Sequence, residues 1–171
     1  VRRAGSLVVP ERTLITRLID FDDGLVQATR ITWGDVFTAF YSTGIPNIED
    51  YIVLSDDLRR QLTMINRFRP LLKPTIVRNL LKRGVKQGPT APERNQTITH
   101  VWGEVEDDQK RKAVSRLHGP EAGVTWTSQT AVASIQKVLA GKAPAGFQTP
   151  AMAYGADFVL ECNDVVLEDI I

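Results

Sequence analysis

Apolar and polar positions fall into short blocks of period two and of period three to four, and the blocks order the elements. TLITRLI (13–19) and LVQATRITW (25–33) are rich in β-branched residues and flank DFDDG (20–24) with its Asp-Gly pair, which predicts a β-hairpin. VFTAFY then follows Asp35, whose carboxylate could cap a short helix, and Gly44 and Pro46 stop that helix. NIEDYIVLS (47–55) has strand composition. Behind Ser55 as a cap, Leu58, Leu62, Ile65 and Phe68 fall on one helical face as far as Pro70. Leu72, Ile76 and Leu80 continue that spacing until Gly84, Gly88 and Pro89 close the segment, and 90–96 reads as a loop.

TITHVWGEV (97–105) and KAVSRLH (112–118) predict a second hairpin about the turn DDQ (107–109), with HGPEAG as a loop beyond it. A helix capped by Thr125 or Thr127 follows. Its buried face would be Ala131, Ile135, Val138 and Leu139, and Gly141 and Pro144 mark its end. Thr149-Pro150 starts one more helical turn that Gly155 stops. ADFVLEC (156–162) reads as a strand and VVLEDII as a last one. The expected class is α+β: one domain over 1–171, with an open mixed, largely antiparallel sheet built from hairpins and covered by helices mainly on one face.

Composition narrows the function classes. The chain of 171 residues suits one core, and 43% hydrophobic with 24% charged residues is a globular balance. No apolar run approaches the roughly 20 residues of a membrane span, so membrane association is not expected. A lone cysteine, Cys162, excludes an internal disulfide and fits a reducing, cytoplasmic setting. Two histidines and one cysteine argue against a His/Cys zinc site, and no metal is expected. A net charge of +1 argues against a polyanion-binding chain, and no nucleic-acid partner is expected. Residues 58–86 nevertheless hold nine Lys or Arg and no acid. Such a stretch can meet phosphate or an anionic membrane, but solvation of an outer helix face accounts for it more simply, and Phe68 is its one aromatic. A first residue of Val rather than Met points to a fragment of a longer chain.

Motif chemistry is sparse. There is no G-x-G-x-x-G, no G-x-x-x-x-G-K-[ST] and no G-x-S-x-G. GKAPAG (141–146) follows a helix, whereas a dinucleotide loop follows a strand. His100 and His118 sit on or beside the second hairpin and read as half-exposed histidines, and Cys162 as a buried, inert thiol.

Three stretches carry a family resemblance. They are IDFDDGLVQATRITWGDVFTAFYSTGIPNIEDY (19–51), VWGEVED (101–107) and GPEAGVTWTSQTAVASIQKVLAGKAPAGFQTPAMAYGADFVL (119–160). In this order they resemble the C-terminal half of the saccharopine dehydrogenase-like oxidoreductases, including the bacterial trans-acting enoyl reductases. The family's segment after Gly-Pro-Glu differs here, reading Gly123-Val124-Thr125-Trp126-Thr127. The resemblance implies a substrate-side, oligomerising domain that binds no cofactor itself and is inactive alone. NAD(P) would be held by a Rossmann half that this chain lacks. It also offers Trp33, Asp35, Ser42, Thr43, Gly44 and Asn47 as residues lining the cleft that faces the nicotinamide. Local chemistry explains the same residues as a strand–helix–strand corner. Two alternatives remain: a stand-alone dimerisation or partner-binding module derived from such an enzyme, and a peripheral anion or membrane-surface binder acting through 58–86.

Overall fold

A computed structural model describes residues 1–10, 14–68, 75 and 88–170. It is an α+β structure with open antiparallel sheets. Among the described residues the strands form three small sheets, of two, three and three strands, rather than the single expected sheet. The chain divides into two compact units, Val1–Ile19 with Leu25–Gln87, and Asp20–Gly24 with Gly88–Ile171.

The first unit opens with a ribbon that its sequence did not announce. β1 (Arg2–Arg3) pairs antiparallel with β2 (Ser6–Leu7) through Ala4 and Gly5, both at positive φ. The expected hairpin follows as β3 (Thr16–Asp20) and β4 (Leu25–Ile31), and β5 (Asp50–Val53) pairs antiparallel on the far side of β4. Residue 13, where the first strand was expected to start, lies outside the described residues.

Between β4 and β5 runs α1 (Asp35–Thr43), which buries Val36. Gly44 ends it in the left-handed conformation at φ 72°, its N–H donating to the Phe40 carbonyl at 2.8 Å. The start differs from expectation. Gly34 is the N-cap residue, and Asp35 lies inside the first turn without capping it. The Val36 N–H instead donates to the carboxylate of Asp50, at 3.1 Å, from the start of β5. A side chain fourteen residues downstream thus satisfies one of the orphan donors of the first turn, the service expected of Asp35.

α2 (Asp56–Phe68) starts as expected, with the Ser55 hydroxyl accepting the Leu58 N–H at 3.3 Å. Pro70 and the second helical run through Leu72, Ile76 and Leu80 lie outside the described residues, as does most of the basic stretch 58–86.

In the second unit the expected loop at 90–96 contains a one-turn helix, α3 (Ala91–Gln96), where Glu93 accepts both the N–H and the hydroxyl of Thr90 at 2.7 Å. The second hairpin is close to its prediction. β6 (Ile98–Glu106) pairs with β7 (Lys112–Pro120) over nine residue pairs, and the Asp107 carboxylate accepts the N–H groups of Gln109 and Arg111 to form the turn. β8 (Val166–Asp169), the expected last strand, adds antiparallel to β7.

A π-helical turn (Ala122–Trp126) leads into α4 (Thr127–Leu139). Neither Thr125 nor Thr127 is the cap. Glu121 does that work, its carboxylate accepting the N–H groups of Gly123, Val124 and Thr125 at 2.6, 2.9 and 3.1 Å. Burial alone would raise the Glu121 carboxyl, but these three donors hold it below the usual carboxylate range. Trp126 is buried on the face of Gly119, where a Cβ would meet its ring at 2.7 Å.

α5 (Pro150–Tyr154) begins at Thr149, whose hydroxyl accepts the Met152 N–H, and ends before Gly155 as expected. The predicted strand over 156–162 is instead a 3₁₀ helix, Ala156–Glu161. A short apolar run fits either geometry, and here Phe158 and Cys162 turn inward as a helical pair rather than alternating.

Candidate functional site

The largest departure from the sequence reading is in α4. Ala131, Ile135, Val138 and Leu139, the expected buried face, are all exposed, Ile135 at 58% and Leu139 at 82%. Val132, at the margin of the same stripe, is exposed as well. The side that packs is small and polar. The Thr130 hydroxyl donates to the Trp126 carbonyl and lies 3.5 Å from Cys162 Sγ, and the Ser134 carbonyl accepts from the Tyr154 hydroxyl. Lys137 pairs with Glu161 at 2.8 Å, with its ammonium 5.5 Å from the Tyr154 ring and 5.3 Å from that of Phe158. The periodicity is therefore a true apolar stripe, about 100° wide, but among the described residues nothing covers it. An open groove of about 340 Å³ lies beside it, lined by Gln129, Val132, Gln136, Cys162 and Asn163 among others.

Apolar exposure continues on one face of the β6–β7–β8 sheet. Val101, Leu117 and Leu167 are directly opposed across the three strands, and Val101 and Leu167 are exposed. The other face is mixed, with Ile98, Trp102 and Val166 beside charged and polar side chains. There the chain's two histidines, His100 and His118, stand directly opposite each other, with their Nδ1 atoms 2.7 Å apart. His118 Nε2 faces Glu168 Oε2 at 3.8 Å. Arg116, one step along the same face, meets Asp20 at 3.1 Å, Asp22 at 3.3 Å and Glu168 at 3.5 Å. The sequence held a signal for this pairing. A hairpin turning about Gln109 places residues 100 and 118 equally far from the turn, hence in register.

The six corner residues divide between the two ends of α1. Trp33, 58% exposed, and Asp35 are at its start. Ser42, Thr43, Gly44 and Asn47 are at or beyond its end. The side chains of Ser42, Thr43 and Asn47 are engaged by backbone groups of the corner and of β1–β2. The Ser42 hydroxyl donates to the Ala39 carbonyl at 3.2 Å and the Thr43 hydroxyl to the same carbonyl at 2.7 Å. Thr43 also accepts the Ile45 N–H at 3.2 Å, and Asn47 Oδ1 accepts the Ala4 N–H at 3.0 Å.

Behind this corner sits a charged cluster that sequence reading missed. Arg2, 4% exposed, donates to the Val36, Phe37 and Gly5 carbonyls and stacks 4.3 Å from the Phe40 ring centre. Glu49 gathers Arg3, Arg30 and the Tyr51 hydroxyl. Burial opposes ionisation of Glu49, but hydrogen bonds from Tyr51, Arg3 and Arg30 hold its carboxyl below the usual range. Burial and the Glu49 partnership push the Tyr51 phenol up to about 12. Burial and the nearby Asp35 raise the Asp50 carboxyl against the pull of the Val36 N–H it accepts.

Among the described residues no group of three or more His, Cys, Asp or Glu is arranged to hold a metal, and no helix is long and apolar enough to cross a membrane. Comparison with protein-family models, with curated proteins and with solved structures gives no match. Fold and site together define an α+β chain with open antiparallel sheets, an outward apolar helix face and a two-histidine pair.

Proposed function

We propose that this chain is the substrate-side, assembly-forming domain of an NAD(P)-dependent oxidoreductase of the saccharopine dehydrogenase-like type. It performs no hydride transfer alone, because the cofactor is held by a Rossmann half outside it. The motif resemblance over 19–51, 101–107 and 119–160 supplies the class. The observation that carries the role is the outward stripe of α4. Burying one such side chain stabilises by about 1.5–3 kcal/mol, and a run of them left in water is the usual mark of a surface that another subunit covers. The stripe carries no charge, so it does not repel a second copy of itself, and an isologous contact between two such stripes is the simplest cover.

A stand-alone assembly module is the second reading. The local engagement of the Ser42, Thr43 and Asn47 side chains favours it, since those groups then serve the corner and not a substrate.

Two measurements on the purified chain test the proposal. Titration with NADPH, followed by nicotinamide fluorescence, is expected to give no complex, and tight binding contradicts the division of labour. Sedimentation equilibrium is expected to give a dimer, and a strict monomer contradicts the assembly role.

A further inference from the structure

The two histidines of this chain are its most specific unexplained feature. They are the only two, they are directly opposed on β6 and β7, and each aims a ring nitrogen at the other. As neutral rings they share one proton: one Nδ1 donates and the other accepts. Such convergence is also the geometry of cis ligands. Two imidazole nitrogens, each about 2.0–2.1 Å from a shared ion, stand about 2.9–3.4 Å apart at right-angled to tetrahedral geometry. The observed 2.7 Å needs an opening of a few tenths of an ångström, which small χ rotations of two half-buried side chains supply.

The surroundings fit a cation. Glu168 places a carboxylate oxygen 3.8 Å from the outer nitrogen of His118, close enough for its charge to favour a cation held on that ring. A carboxylate behind a ligating histidine is the usual way its tautomer and basicity are set. Arg116 is the neighbouring cation, and it is faced by three carboxylates, those of Asp20, Asp22 and Glu168. Those carboxylates offset the Arg116 charge, so the guanidinium opposes a cation at the pair less than an unpaired one would.

We propose that His100 and His118 form a two-imidazole site for one borderline divalent cation of the Zn²⁺, Ni²⁺ or Cu²⁺ class, with water completing its coordination. Imidazole donors select these ions over Mg²⁺ and Ca²⁺, and affinity rises in the order Zn²⁺ or Ni²⁺ below Cu²⁺. Glu168 is a positioning residue for His118 and not a ligand. This inference does not rest on the oxidoreductase reading, and no step of that reading uses it.

The test is a Zn²⁺ titration of the full chain followed by ¹H–¹³C NMR of the imidazoles, with isothermal calorimetry for stoichiometry. With two histidines in the chain, the assignment needs only one variant of each. Both rings are expected to shift together and saturate at one ion per chain, with Mg²⁺ producing no shift. His100→Gln and His118→Gln are each expected to weaken binding more than tenfold, and Glu168→Gln about tenfold. If neither ring responds to millimolar Zn²⁺, or one responds alone, or binding survives both histidine variants, the site is refuted. The wild-type titration decides by itself should a variant fold poorly.

Discussion

α1 and α4 are both helices with an apolar side, yet they use it in different ways. α1 turns Val36 inward, takes its cap from Asp50 on the adjoining strand and has two of its carbonyls bound by the buried guanidinium of Arg2. α4 turns Ile135, Val138 and Leu139 outward and packs with Thr130, Ser134 and Lys137. Periodicity tells that a helix has an apolar side. It does not tell which object covers that side. In α1 the cover is the chain's own first residues and its sheet. In α4 nothing among the described residues covers it, which is the basis of the assembly role proposed above.

The contrast breaks most directly at matched truncations. Val36→Ala is expected to cost about 2–3 kcal/mol of unfolding free energy, from lost transfer and the cavity left behind. Ile135→Ala should cost less than about 0.5 kcal/mol in the dissociated chain, as an exposed substitution does. Urea denaturation at low protein concentration measures both, and an equal loss at the two positions would erase the distinction.

α4 is held instead at its N-terminal end, where Trp126 lies on Gly119 and Glu121 collects three amide donors. Gly119→Ala sets a methyl against a rigid ring and is expected to cost about 2 kcal/mol by overpacking. Combined with Trp126→Leu it should cost less than the sum of the two single changes, and a thermal-melt double-mutant cycle reads that coupling.

The cap of α1 sharpens the comparison further. Asp50→Ala should lose about 1 kcal/mol, the usual worth of a side-chain cap. Asp50→Asn keeps an acceptor for the Val36 N–H and removes the repulsion from Asp35, so it should be neutral or slightly stabilising. A loss as large as that of the alanine variant would show that the charge matters and not the hydrogen bond.

The smallest effects are those of pH on the charged cluster behind α1. Glu49 has a lowered folded-state carboxyl, so its contribution is present above the ordinary carboxylate range and is lost as pH falls through the folded value. Asp50 has the opposite sign: its ionised form is a cost that protonation relieves as pH falls through its raised value. Tyr51 is raised from 10.0 to about 12, so its contribution is complete below pH 10 and is lost between there and 12. Melting curves of wild type and Glu49→Gln should accordingly converge as the solution is acidified.

What the sequence made legible was local. Gly44, Ser55, Thr149 and the Asp107 turn each act within a few residues of themselves, and each sits where residue chemistry put it. The hairpin of β6 and β7 followed from its alternation and its turn. What stayed hidden depends on distance along the chain or on a choice between near-equal geometries. Asp50 caps a helix fourteen residues upstream. Arg2 reaches carbonyls thirty-four and thirty-five residues away. The run at 156–161 is too short for its period to separate a strand from a 3₁₀ helix. The histidine pair was latent in the register, but its ring geometry was not, because that requires both side chains to turn toward each other.

The most direct test of the account is sedimentation equilibrium of the wild-type chain beside Leu139→Lys over a range of micromolar concentrations. The account predicts a concentration-dependent dimer for the wild type and a folded monomer for the variant, with a dissociation constant raised at least a hundredfold. A wild type that stays monomeric, or a variant that dimerises as well as the wild type, would contradict it.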